Sequence, residues 1–309
     1  MNTGPFELLV LGSNGALPAY DRFPSAQLLN IHEQYYLIDC GEGTQFQLKK
    51  YGVRISRINQ IFISHLHGDH VYGLPGLITT YQLLGRTEPL DIFAPGDIED
   101  LLHSILTRTT MGLQFELRVH TISDFKGALI FENDRVCVKS IPLDHKVPCS
   151  GFLFQEKISR RKLNMDLIRE FNVPLKHYKD LEAGKDIILE DGRTFLNLDL
   201  VIPMSKRRTY AYCTDTRFAK GILPFIQNVD LLYHETTYLD DMKELAFDHG
   251  HSTAKQAAEI ASLAKAGKLL TGHYSSRYEN LEAIEAECKK YFENTVLGIE
   301  GLKIAIPLN

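Results

Sequence analysis

Residues 62–70 read Phe-Ile-Ser-His65-Leu-His67-Gly-Asp69-His70, an HxHxDH run that directly follows an apolar, strand-like stretch. Four side chains able to ligate a metal fall within six residues. Imidazole and carboxylate donors suit zinc and related first-row divalent ions. One short run cannot supply a two-metal site, and three further residues recur at comparable places. His145 follows the apolar run 136–141, Asp215 follows 209–213, and His273 follows 268–270. Each stands where a predicted strand gives way to a loop. In open α/β sheets, ligands collect at the carboxyl ends of strands.

The elements that must position these groups are legible as short apolar runs alternating with amphipathic stretches. Strands are predicted at Phe6–Leu11, Tyr35–Asp39, Gln60–Ser64, Leu90–Phe93, Val136–Ile141, Thr209–Cys213, Asp230–Tyr233 and Lys268–Leu270. Helices are predicted at Thr44–Tyr51, Asp97–Thr109, Thr253–Ala266 and Tyr278–Phe292, the third capped by Ser252 or Thr253. Strand–helix alternation predicts an α/β fold with helices covering sheet faces. Between about Phe154 and Arg193 the pattern breaks into a polar, charged segment. There Lys157, Arg160, Arg161, Lys162, Arg169, Lys176 and Lys179 meet only Asp166 and Glu170 over positions 157–179.

The chain has 309 residues, 44% hydrophobic and 24% charged, which excludes intrinsic disorder, collagen-like repeats and coiled coil. A net charge of −5 argues against non-specific duplex binding while leaving room for a local basic patch. The five cysteines are scattered without a CxxC pair, as expected of reduced, buried thiols in the cytoplasm. No basic-then-apolar leader opens the chain, and no run approaches the ~18 apolar residues of a membrane span. A cytoplasmic protein without membrane attachment is expected.

HxHxDH with a distant His, Asp and His resembles the metallo-β-lactamase superfamily, whose fold is an αββα sandwich with a two-metal site at the sheet edge. Finer features resemble ribonuclease Z, the tRNA 3′-processing endonuclease. They are Leu37-Ile-Asp-Cys-Gly-Glu-Gly-Thr-Gln45, Gly73-Leu-Pro-Gly-Leu77, Asp215-Thr-Arg217, His234-Glu-Thr-Thr-Tyr238, His251-Ser-Thr-Ala254 and His273-Tyr-Ser-Ser-Arg-Tyr278. The resemblance runs from Phe6 to the C-terminus and implies a single domain over 1–309. The segment 154–193 falls where that family carries an inserted arm that grips tRNA. The tip departs from the family pattern, since Val173-Pro174 continues as Leu175-Lys-His-Tyr-Lys179 without a Gly-Pro pair.

Carried over residue by residue, the resemblance implies two Zn2+ per subunit, with Mn2+ or Fe2+ as alternatives. His65, His67 and His145 would hold one ion, Asp69, His70 and His273 the other, and Asp215 both. Asp69 would also orient or deprotonate a water, and His251, held by Glu235, would protonate the leaving 3′-oxygen. Ser275 and Arg277 are expected to contact phosphate. Arg160, Arg161, Lys162, Lys176 and Lys179 are expected to contact RNA. The implied activity is removal of 3′ trailers from precursor tRNA, leaving a 3′-OH on the tRNA and a 5′-phosphate on the trailer, by a homodimer. The alternative is a phosphodiesterase of the same fold acting on a small phosphodiester or phosphonate.

Overall fold

The computed structural model describes residues 4–110, 112–157, 162–202 and 207–307. The first half of the chain supplies β1 (Phe6–Gly12), β2 (Ala26–Ile31), β3 (Gln34–Ile38), β4 (Ile58–Phe62), β5 (Leu90–Ala94) and β6 (Leu117–Thr121). Residues from 129 onward supply β7 (Leu129–Glu132), β8 (Val136–Pro142), β9 (Ser150–Glu156), a small hairpin β10 (Ile187–Ile188) and β11 (Thr194–Phe195), then β12 (Thr209–Cys213), β13 (Leu231–Glu235), β14 (Leu269–Gly272) and β15 (Thr295–Leu297). The last strand, β16 (Lys303–Ala305), returns to pair with β1. Two seven-stranded sheets result, in the orders β16-β1-β2-β3-β4-β5-β6 and β15-β14-β13-β12-β9-β8-β7.

Each sheet is antiparallel on one side and parallel on the other. Pairings β3-β4-β5-β6 and β12-β13-β14-β15 are all parallel. The central strands are apolar on both faces because both are covered. Alternate residues divide between layers: Leu8, Val10, Tyr36, Phe62 and Tyr233 enter the space between the sheets, while Leu9, Leu11, Leu37, Ile61 and Leu232 meet the outer helices. The inter-sheet layer is aromatic, with Phe62 stacked on Phe93 at 4.9 Å and Tyr212 on Tyr233 at 4.7 Å. Helix, sheet, sheet, helix is the expected αββα order.

All eight predicted strands form. The four predicted helices form with shorter bounds, Thr44–Lys50, Ile98–Thr109, Ala254–Leu263 and Glu282–Lys289. Thr253 caps the third through a full capping box with Gln256. The bounds of the charged segment change. Residues 154–156 belong to β9, paired with β8 and β12, and 193 lies inside the turn between β10 and β11. The excursion leaves the sheet after Glu156 and rejoins it at Thr209, where the Glu156 amide donates to the Arg208 carbonyl at 3.0 Å. Polarity masked its own small core, which includes Leu163, Ile168, Val173, Leu181, Ile187 and Leu200. Helices Met165–Glu170, capped by Asn164, and Tyr178–Glu182 pack on it. Arg160 and Arg161 lie outside the described residues.

Candidate metal centre

Local geometry divides the HxHxDH run into two groups. His67 is extended, with φ −68° and ψ 149°, and a short helix, Gly68–Val71, begins immediately after it. In extended chain, residues i and i+2 face the same way. His65 and His67 therefore point together, and the helical turn sends Asp69 and His70 to a different place. The fold completes each group from the ends of strands in the other sheet. His65, His67, His145 and Asp215 offer ligand atoms within 4.8 Å of one another, as do Asp69, His70 and His273.

Asp215, at the end of β12, stands between the two groups and gives one oxygen to each. Its Oδ2 lies 3.6 Å from His65 Nε2 and 3.8 Å from His145 Nε2. Its Oδ1 lies 3.3 Å from His70 Nε2 and 3.2 Å from His273 Nε2. Asp69 Oδ2 approaches the same two nitrogens at 3.5 and 3.4 Å. His70 Nε2 and His273 Nε2 are buried without a hydrogen-bond partner. Buried polar atoms are rarely left so, and two imidazole nitrogens converging on two carboxylates form a donor set for a divalent cation. The residues present fit such an ion.

The electrostatics point the same way. Burial works against charge on His70, but Asp215, Asp69 and Asp39 outweigh it and hold its pKa well above the ordinary value. Burial would raise Asp69 and Asp215, yet the surrounding imidazoles keep both carboxyls ionised far below the usual range. Burial, with the neighbouring imidazoles, pushes His65 down, and burial pushes His145 down. Fixed negative charge that retains a proton on a buried imidazole favours a cation in its place.

Behind the ligand atoms a second set of contacts aims the rings. His145 Nδ1 donates to the Gly250 carbonyl at 2.8 Å. Gly250 has φ +83° and packs so tightly there that a Cβ would come within 2.7 Å of the ring, so only glycine serves. His70 Nδ1 pairs with Asp39 Oδ2 at 2.7 Å. Asp39 also accepts from the Ser64 amide at 2.7 Å, the Ser64 hydroxyl at 2.9 Å and Tyr212 Oη at 2.6 Å. It adopts φ 55°, a conformation few non-glycine residues take without a reason. Sequence reasoning gave Asp39 no role, although it follows a buried strand just as the other site residues do. Ala16, from the loop after β1, donates its amide to Asp69 Oδ2 at 2.7 Å.

The other expected site residues fall as follows. His251 Nδ1 is 2.9 Å from Glu235 Oε1 and 3.9 Å from Asp215 Oδ2. Asp215, His251 and His273 also converge closely enough to hold an ion, but the short contact to Glu235 occupies the nearer His251 nitrogen. Burial lowers the His251 pKa, and Glu235, then Asp215 and Asp69, overcome this and carry it up to about 9. Ser275 is half-buried and Arg277 exposed, just beyond His273. Lys162, Lys176 and Lys179 are exposed on the excursion, and Lys176 is paired with Glu190 at 2.5 Å.

The crystal structure of the metallo-β-lactamase fold protein YhfI from Bacillus subtilis matches 97% of this chain and 99% of its own, with a TM-score of 0.67 at 18% identity. The two sheets, their helices and the His/Asp cluster at the strand ends make this a metallo-β-lactamase-fold protein. The crystal structure of the human tRNase Z, short form, matches 98% of this chain and all of its own, with a TM-score of 0.71 at 27% identity. A family model described as anti-Pycsar protein Apyc1 matches residues 6–293. Ribonuclease Z of Parabacteroides distasonis is 40% identical over 97% of this chain and 99% of its own. The chain belongs to the family of that model and, by its full-length likeness to such relatives, to the ribonuclease Z family.

Proposed function

We propose that the protein is a metal-dependent endoribonuclease that removes 3′ trailers from tRNA precursors, leaving a 3′-OH on the tRNA and a 5′-phosphate on the trailer. The observation that carries the reading is two adjoining imidazole–carboxylate groups beside a paired His251 and Glu235, in a chain alike over its whole length to ribonuclease Z. His65, His67 and His145 would hold one divalent ion, Asp69, His70 and His273 a second, and Asp215 both. Zinc suits this donor set, and manganese or iron can occupy similar ones. When bound, the ions supply Lewis-acid polarisation of the phosphodiester and lower the pKa of water toward neutrality.

The chain's own residues divide the remaining work. Asp69, one oxygen of which is held by the Ala16 amide, orients the attacking water and accepts its proton. His251 is kept protonated by Glu235 and gives its proton to the ribose 3′-oxygen as the P–O3′ bond breaks. Ser275 and Arg277, at the rim, take the phosphate or the RNA terminus. Lys162, Lys176 and Lys179, with Arg160 and Arg161, carry the body of the tRNA on the excursion. The two seven-stranded sheets form one domain over 1–309, with the excursion inserted between β9 and β12. The protein works as a cytoplasmic homodimer in this reading; among the described residues no helix is long and apolar enough to cross a membrane.

A second reading follows from the donor set itself, which carries no feature that demands a large substrate. It is hydrolysis of a small phosphodiester. Cleavage of a labelled precursor tRNA, with both new ends mapped and Asp69→Ala in parallel, separates the two. One cut after the discriminator nucleotide, lost in the variant, supports tRNA processing. Intact tRNA alongside metal-dependent turnover of a small diester supports the second.

A further inference from the structure

Glu235 is engaged on both of its oxygens. Oε1 accepts from His251 Nδ1 at 2.9 Å and from the Thr216 amide at 2.8 Å. Oε2 accepts from the hydroxyl of Thr237 and, at 3.4 Å, from the Thr237 amide. The same Thr237 oxygen lies 3.0 Å from His273 Nδ1. This chain of contacts follows from the sheet: β13 and β14 run parallel with Glu235 opposite Gly272, so the residues leaving the two strands remain neighbours. Glu235, Thr237 and His273 are 0%, 5% and 2% exposed, leaving water little part in the arrangement.

Counting protons assigns the direction of each bond. A carboxylate surrounded by donors has none to give, and a threonine hydroxyl has one. That proton goes to Glu235 Oε2. The Thr237 oxygen can then only accept at His273, so His273 carries its proton on Nδ1. In the neutral ring the lone pair is left on Nε2, the atom with no hydrogen-bond partner that faces Asp215 Oδ1 at 3.2 Å and Asp69 Oδ2 at 3.4 Å.

We infer that Thr237 is a positioning residue that transmits the orientation of Glu235 to His273 and fixes the tautomer presenting Nε2 to a divalent cation. A single buried carboxylate thereby sets two histidines, His251 on one oxygen and His273, through Thr237, on the other. The inference rests on the reading of His273 as a metal ligand.

Thr237→Val removes the hydroxyl at nearly constant shape, and Thr237→Ser keeps it. Competition of each Zn2+-loaded protein against a chromophoric chelator is expected to show roughly ten- to hundredfold weaker retention in Thr237→Val, as for other contacts behind a metal ligand. Thr237→Ser should retain the ion like the parent. Parent-like retention in a folded Thr237→Val protein overturns the inference, as does equal loss in Thr237→Ser, which would make the methyl responsible. His273→Ala tells the two failures apart. If it leaves retention unchanged, the ligand reading falls and the inference with it; if it weakens retention while Thr237→Val does not, the inference alone falls. Nitrogen-15 NMR of imidazoles in the parent, assigned with His273→Gln, needs no folded Thr237 variant. A proton on Nδ1 of His273 supports the assignment, and a proton on Nε2 alone overturns it.

Discussion

His65, His70, Asp215 and His273 are at most 2% exposed, and each is held by neighbours at hydrogen-bonding distance. Lys162, Arg169 and Lys179 stand in solvent on an excursion with a small core of its own. The His/Asp cluster concentrates opposite charges where water is scarce, so each contact is strong and each displacement costly. The excursion spreads charges of both signs over a wet surface, the cations concentrated over 157–179, and there single contacts are weak and screened by salt. Chemistry at one phosphorus needs the first arrangement. Holding a large polyanion that must later leave suits the second. One protein can combine them because the excursion leaves and rejoins one sheet at a neck between β9 and β12, where Glu156 is clamped by Arg208 at 2.5 Å and His32 at 2.5 Å.

The contrast predicts a graded set of effects. The largest belongs to Asp215, whose oxygens face both groups. Asp215→Asn should lose most bound metal and about three orders of magnitude or more in precursor cleavage, because several kcal/mol of charge stabilisation are at stake. Metal analysis beside kinetics checks this, and a metal-replete, active variant would break the picture of a shared carboxylate. His251→Ala comes next. Cleavage should fall by roughly 10²–10⁴-fold with metal content unchanged.

The pH dependence of that step has a definite sign. A donor whose pKa is raised to about 9 is charged below that value and loses its proton as pH rises through it. Cations held by Asp69 and Asp215 would draw the midpoint down by cancelling part of the charge that raised it. Glu235→Gln should move the alkaline limb of the rate profile further down, toward the ordinary 6.5 of an imidazole. A limb that stays in place would remove Glu235 from this role.

Closing the neck is expected to act on substrate rather than on chemistry. Since the Glu156 amide already bonds the Arg208 carbonyl, a turn of about 2–5 residues can replace the excursion as an ordinary hairpin loop. KM for precursor tRNA should rise and its salt dependence flatten, while turnover of a small phosphodiester stays at the parent rate. The smallest effects belong to single lysines. Lys179→Ala should lower the salt slope by about one, as for loss of a phosphate contact. Lys176→Ala should do less, because Glu190 already offsets its charge. The reverse order would place the RNA track along the Lys176 side.

Much of the site was legible because its spacing is local. An extended pair followed by one helical turn is enough to aim His65 and His67 one way and Asp69 and His70 another. His145, Asp215 and His273 were readable because each follows an apolar strand, and strand ends are where parallel sheets collect ligands. The excursion was visible as charge, but its bounds were misplaced. Phe154 and Glu156 look like the start of a polar segment until the pairing with β12 draws them into the sheet. Strands β2, β6 and β16 went unread as well, and the last is three residues long and owes its place to β1 at the other end of the chain.

Residue types and spacing therefore decided which side chains could ligate a metal, since the geometry of a few consecutive residues follows from backbone stereochemistry alone. Folding decided how they are used. Asp215 faces two groups because two sheets bring their strand ends to one edge, while Asp39 aims His70 across the ends of the neighbouring strands β3 and β4, and Glu235 joins His251 to Thr237 and His273 where β13 and β14 end side by side. Glu235 and His251 lie 16 residues apart, Asp39 and His70 31, and Thr237 and His273 36, and no local pattern encodes these pairs. Burial then removes competing water, which turns closeness into fixed hydrogen bonds and displaced proton affinities.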